Sequence, residues 1–231
     1  MSTLRPETLP LDAGATVWSV PPNRVNAALD ERPLLVLLHG FGSNEADLAG
    51  LMPHLPAEFV IASLRAPLPV AVGAGRGYAW FPITDPGRPD PAYLDAGVRG
   101  IRRWLEHTHA RVRTPGPVAL LGFSQGGAMV THLLRHNPED YTCGVVLSGF
   151  TAGGLVAGDE ALSQIRPPVF WGRDEADPVI TAAAVERTTA FLASHVDLTE
   201  RRYPGLGHGV AAAELEDVAR FLREHVGSPG S

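Results

Sequence analysis

The sequence predicts an α/β fold, a mostly parallel twisted sheet with helices on both faces. Three observations carry this. Short apolar runs recur along the chain, longer segments of helical period lie between them, and a glycine-flanked serine sits where one such run meets one such segment.

The runs Leu34 to Leu38, Phe59 to Ser63, Val118 to Leu121, Val145 to Leu147 and Val169 to Trp171 read as buried strands, because near-continuous apolar sequence marks a strand covered on both faces. Tyr93 to Val112, Gly126 to His136, Thr181 to Ser194 and Ala211 to Val226 read as the crossover helices. Ala15 to Val20 and Arg24 to Leu29, divided by Pro21-Pro22, suggest an antiparallel hairpin at one edge. Glu200, Arg201 and Arg202 put the last strand, Leu198 to Tyr203, at the other edge. No repeat or low-complexity linker interrupts the pattern, so one domain spanning 1–231 is expected, with 1–12 and 227–231 flexible. The stretch Leu64 to Pro91, rich in Gly and Pro and carrying Tyr78, Trp80 and Phe81, reads as a long functional loop.

Composition excludes several classes of function. With 45% apolar and 19% charged residues the chain can bury a sizeable core. A net charge of −6 without any Lys/Arg cluster argues against a nucleic-acid partner. One cysteine, Cys143, forms no internal disulfide and no cysteine-based zinc site, and it reads as a packed residue. The N-terminal stretch lacks a signal-peptide core and no apolar run reaches membrane-spanning length, so a cytoplasmic protein without stable membrane insertion is expected.

The central motif is Gly122-Phe123-Ser124-Gln125-Gly126-Gly127, between the strand run PVALL and the helical run AMVTHLL. That context fits a nucleophile elbow, a sharp turn that lifts a serine hydroxyl off the sheet edge and needs small neighbours; the plainer reading is a Gly-rich turn with Ser124 as helix cap. A serine hydroxyl needs a base and an orienting carboxylate, in the order Ser, Asp, His for this fold. His208, in Gly205-Leu206-Gly207-His208-Gly209, is the candidate base. Among Asp174, Glu175 and Asp177, the last is preferred because Pro178 ends the loop just before a helix. Oxyanion donors are expected from the N–H of Gln125 and, in the run Leu38-His39-Gly40-Phe41-Gly42, from the N–H of Phe41.

LHGFGSNEADL, GFSQGGA, DPVI and GHG, spread from residue 38 to residue 209, together resemble the phospholipase/carboxylesterase family, which includes the acyl-protein thioesterases. The resemblance implies an α/β-hydrolase fold with a minimal lid and no cofactor. Its substrate would be a small-molecule ester, thioester or lysophospholipid with an apolar acyl group. It also implies a triad of Ser124, Asp177 and His208, with Phe41 and Gln125 as oxyanion donors. Pro82 stands where many members carry an acidic residue after the Trp-Phe pair, a departure that bears on substrate preference.

Trp80 and Phe81 could line an acyl pocket or pin their loop to the core. His132 and His136 are spaced as a metal pair, but with no third ligand visible they read as surface histidines and no metal is expected. Gly73, Gly75 and Gly77 follow no strand that would make them a dinucleotide fingerprint. Two rival functions stay open, a non-catalytic binding module of the same fold and a small serine peptidase, and the sequence leaves a homodimer open.

Overall fold

The computed structural model describes residues 7–85 and 87–225. In chain order its elements are β1 (Val17–Trp18), α1 (Val25–Leu29), β2 (Leu34–Leu38), α2 (Glu45–Ala49), β3 (Val60–Leu64), β4 (Leu68–Val72) and β5 (Gly75–Ala79). Then follow α3 (Pro91–His109), β6 (Val118–Phe123), α4 (Gln125–His136), β7 (Cys143–Leu147), α5 (Asp159–Ile165), β8 (Pro168–Arg173), α6 (Ala182–His195), β9 (Asp197–Arg202) and α7 (Ala212–His225). Seven strands form one sheet in the order β1-β3-β2-β6-β7-β8-β9, parallel throughout except for β1.

The apolar runs are buried on both faces because the parallel strands are sandwiched. Leu34, Val36 and Leu38 join one core with residues of α1, α3, α4 and α6, whereas Leu35 and Leu37 join the other with Leu48 of α2 and Val218, Phe221 and Leu222 of α7. Alternate side chains of one strand therefore serve opposite layers. Strand order reverses between β2 and β6, since β3 lies beyond β2 and β7 beyond β6. Such a reversal opens a crevice at the carboxyl ends of the strands. Leu38 pairs with Gly122, and Phe123 with Leu147, so the segments after β2, β6 and β7 leave the sheet at one level.

Three sequence readings need correction. Arg24 to Leu29 is not a strand: Val25–Leu29 is helical, with Val25 and Leu29 buried. Val25 and Leu29, four residues apart, share a face in a strand and in a helix alike, so the apolar pattern could not separate the alternatives; of the expected hairpin, Val17–Trp18 forms a strand, paired with β3. The long segment before α3 holds a hairpin, β4 with β5, that is pinned to the loop after β2 by the Ser43–Tyr78 bridge. His132 is buried rather than at the surface. Of the terminal segments expected to be flexible, 1–6 and 227–231 lie outside the described residues, while Leu9 is buried and its N–H donates to Ala96 O at 3.2 Å.

Glu214, in the first turn of α7, is fully buried, and its Oε1 has no partner among the described residues. Gly172 of β8 makes room for it, since a Cβ there would lie 2.0 Å from that oxygen. Burial raises the carboxyl from 4.5 to about 7, so the folded chain holds this proton more tightly than the unfolded one. The resulting stabilisation is complete below about pH 4.5 and is lost as pH rises to about 7. Glu214→Gln should not show this loss. Denaturant unfolding of both proteins across that window is expected to diverge by on the order of 3 kcal/mol in favour of the variant, and parallel curves would contradict the assignment.

Candidate active site

The hydroxyl of Ser124 is presented by backbone strain. Ser124 has φ 53 and ψ −114, and its N–H donates to Leu147 O at 2.8 Å as β6 turns into α4. Only glycine fits at Gly126, where a Cβ would lie 1.8 Å from Leu38 O. The elbow thus packs directly on the end of β2.

His208, from the loop after β9, reaches Ser124 across the sheet edge: its Nε2 lies 2.9 Å from Ser124 Oγ and its Nδ1 lies 2.8 Å from Asp177 Oδ2. With Nδ1–H donating to the carboxylate, Nε2 is left to accept from the serine O–H. Asp177 is fixed in turn, its Oδ1 accepting from Val179 N–H at 2.8 Å and Ile180 N–H at 3.1 Å. The Phe123 ring lies against the imidazole, centroids 5.0 Å apart, and limits where it can swing.

The three acids after β8 have different partners. Glu175 pairs with Arg202 at the surface. Asp174 is buried and accepts from Ala176 N–H at 3.0 Å and from Gly207 N–H at 2.6 Å, tying the histidine loop to the end of β8. These backbone donors, Ala176 foremost, hold its carboxyl below the usual carboxylate range.

Phe41 and Gln125 both line the cavity that opens on Ser124. Ala128 is the first α4 residue whose N–H closes on a backbone carbonyl, Ser124 O at 3.1 Å, so the Gln125 N–H precedes the helical ladder. No acceptor for the Phe41 N–H is found among the described residues. The loop that carries it is held from three sides. Gly42 N–H donates to Tyr78 O and Tyr78 N–H to Ser43 O, both at 2.8 Å. A Cβ on Gly77 would lie 1.8 Å from Gly42 O, which keeps that approach open only to glycine. His39, fully buried, donates from Nδ1 to Gly40 O at 2.7 Å and accepts Ala66 N–H on Nε2 at 3.0 Å. Burial lowers its pKa and favours this neutral ring.

Trp80 and Phe81 separate in role. Trp80 is fully buried, its Nε1–H donating to His39 O at 2.9 Å, so the indole pins the loop and does not line a pocket. Phe81 does line a cavity of about 370 Å³ that opens on Ser124 and His208, together with Ile83, Phe150, Val179 and Ile180. The Gln125 side chain, 3% exposed, accepts from Trp80 N–H and donates to Phe81 O, both at 2.7 Å. Sequence reasoning missed this clamp and His39, and it weighed Asp174 only as an alternative to Asp177. A polar residue directly after a wholly apolar strand was the one available hint for His39. Cys143 is buried and its thiol is pushed up to about 12, which leaves it an unreactive packed residue.

The chain is similar to several known proteins. The family model described as Phospholipase/Carboxylesterase matches residues 23–226. A probable carboxylesterase of Oryza sativa subsp. japonica is 25% identical over 229 residues, covering 93% of this chain and 85% of that protein. The acyl-protein thioesterase 1 of Saccharomyces cerevisiae is 25% identical over 217 residues, covering 85% of this chain and 94% of its own. The crystal structure of a carboxylesterase from Mesorhizobium loti superimposes with a TM-score of 0.74 at 19% identity, over 92% of this chain and 97% of that one, and so shares the fold.

The hold of Asp174 on Gly207 has a measurable consequence. Asp174→Ala is expected to lower kcat/KM by about 10²-fold through a displaced imidazole. Asp174→Asn, which keeps one of two acceptor oxygens, should lose less, and Glu175→Gln should lose nothing. Steady-state kinetics on an activated ester read the order, and equal activity in all three would contradict it.

Proposed function

The chain belongs to the phospholipase/carboxylesterase family, α/β hydrolases, and from that premise we propose that it cleaves carboxylic esters or thioesters through an acyl-enzyme on Ser124. The observation that carries this reading is the unbroken relay from Ser124 Oγ to His208 Nε2 and from His208 Nδ1 to Asp177, at 2.9 and 2.8 Å, facing an apolar cavity. A binding module has no need of that alignment.

In the proposed reaction His208 Nε2 takes the hydroxyl proton as Ser124 Oγ bonds to the acyl carbon. Asp177 stabilises the imidazolium that forms. Negative charge collects on the former carbonyl oxygen, in front of the N–H groups of Phe41 and Gln125. Collapse of this intermediate expels the alcohol or thiol, which leaves with the proton from His208. Water then attacks the acyl-enzyme by the same steps, and the carboxylic acid departs. Phe81, Ile83, Val179 and Ile180 favour an apolar acyl group. The same reading takes the chain as one catalytic domain working in the cytoplasm. Among the described residues no helix is long and apolar enough to cross a membrane.

A panel of aryl esters, acyl thioesters and lysophospholipids of graded acyl length, run beside a peptide amide, tests the reading. Ester or thioester turnover is expected, reduced by about 10³-fold or more in Ser124→Ala. Amide cleavage without ester turnover would make the protein a peptidase. A folded protein that turns over nothing would be a binding module.

A further inference from the structure

The helices α3 and α4 pack side by side, and toward the end of α4 remote from Ser124 three side chains aim their donor atoms at one point. His132 and His136, one helical turn apart, bring their Nε2 atoms to 3.3 Å from each other. Asp95, near the start of α3, places Oδ1 at 2.8 Å from His132 Nε2 and 3.1 Å from His136 Nε2. The third ligand that the sequence did not reveal thus comes from another helix, 37 and 41 residues away in the chain.

We propose that Asp95, His132 and His136 form a binding site for a divalent transition-metal cation of the zinc class, held by two imidazole nitrogens and one carboxylate oxygen, with a further position open to water. The spacing fits such an ion. Bonds of about 2.0–2.1 Å at a tetrahedral angle set neighbouring donors roughly 3.3–3.4 Å apart. The edge between the two nitrogens already has that length, and the edges to Asp95 need only a few tenths of an ångström of expansion. Two imidazoles with a carboxylate are a borderline donor set that suits zinc and its neighbours over calcium or magnesium.

Hydrogen bonding alone uses only part of this triangle. If both histidines donate Nε2–H to Asp95, the short edge between them sets two donors against each other, whereas a cation at the centre uses all three atoms. Access and charge also agree. His132 is 3% exposed and anchors the site, while Asp95 at 37% and His136 at 29% leave one side open to solvent. The adjacent cation, Arg135, is already occupied by Asp159 through two contacts of 2.7 Å and does not neutralise Asp95. Nδ1 of His132 has no partner among the described residues, so the outer support that usually tightens a metal-bound imidazole is absent on this ligand. An ion here ties α3 to α4, at about 12–18 Å along α4 from the nucleophile, and takes no part in the ester chemistry.

The test is titration of the metal-free chain with zinc chloride by calorimetry and with cobalt(II) by visible absorption. One zinc ion per chain, tetrahedral cobalt bands and a zinc-dependent rise in melting temperature are expected. His136→Ala and Asp95→Asn, both at partly exposed positions, should each weaken zinc at least about tenfold and lose the melting shift. His208→Ala should bind zinc as the parent does, which separates this site from the imidazole of the triad. The proposal is overturned if the folded parent binds no zinc, if His136→Ala binds unchanged, or if only His208→Ala abolishes binding.

Discussion

The direct packing of the serine turn on the end of β2 is the constraint from which the rest of the site follows. Because Gly126 lies against Leu38 O with no space for a side chain, β6 and β2 end together and the turn between β6 and α4 has a single path. That path costs backbone strain at Ser124, of order 1–3 kcal/mol for such conformations, which the parallel pairing on both sides of β6 must hold. It also sets the first N–H groups of α4 and the loop after β2 around the same point, at the reversal of strand order. In the proposed mechanism an anionic oxygen is held there by N–H dipoles already in place.

Around this point the polar residues divide into those that face the reaction and those that hold them. Asp177 touches the imidazole, whereas Asp174 touches only backbone and holds the loop. Gln125 contributes its N–H to the oxyanion position in the proposed mechanism, and its side-chain amide clamps Trp80 and Phe81. Trp80 Nε1–H donates to His39 O and the Ser43–Tyr78 bridge joins the loop after β2 to β5, so the hairpin β4–β5 is tied to that loop. Buried polar groups that are this fully bonded make a rigid frame, and the apolar cavity beside them is left to accept the acyl group.

Much of this was legible in the chain. The runs at Leu34, Val118 and Val169 announced central parallel strands, because burial on both faces removes the polar alternation. Ser124, Asp177 and His208 were legible because each falls just past a strand run, where the sheet gathers its loops. What could not be read depends on distance in space. Val25 and Leu29 satisfy two periods at once, and Asp95 meets His132 only after α3 and α4 have packed. Trp80 was ambiguous for a related reason, since an indole over the core and an indole beside a substrate have the same sequence, and only the bond to His39 O separates them.

In the proposed mechanism the imidazole of residue 208 makes the hydroxyl of residue 124 a nucleophile. The most direct measurement is the second-order rate of modification by a fluorophosphonate, with the labelled peptide identified by mass spectrometry, in the parent and in His208→Ala at matched folding. The label is expected on Ser124, with a rate that falls by about 10²–10⁴-fold when the imidazole is removed. Equal rates in the two proteins, or a label on any other residue, would contradict the account.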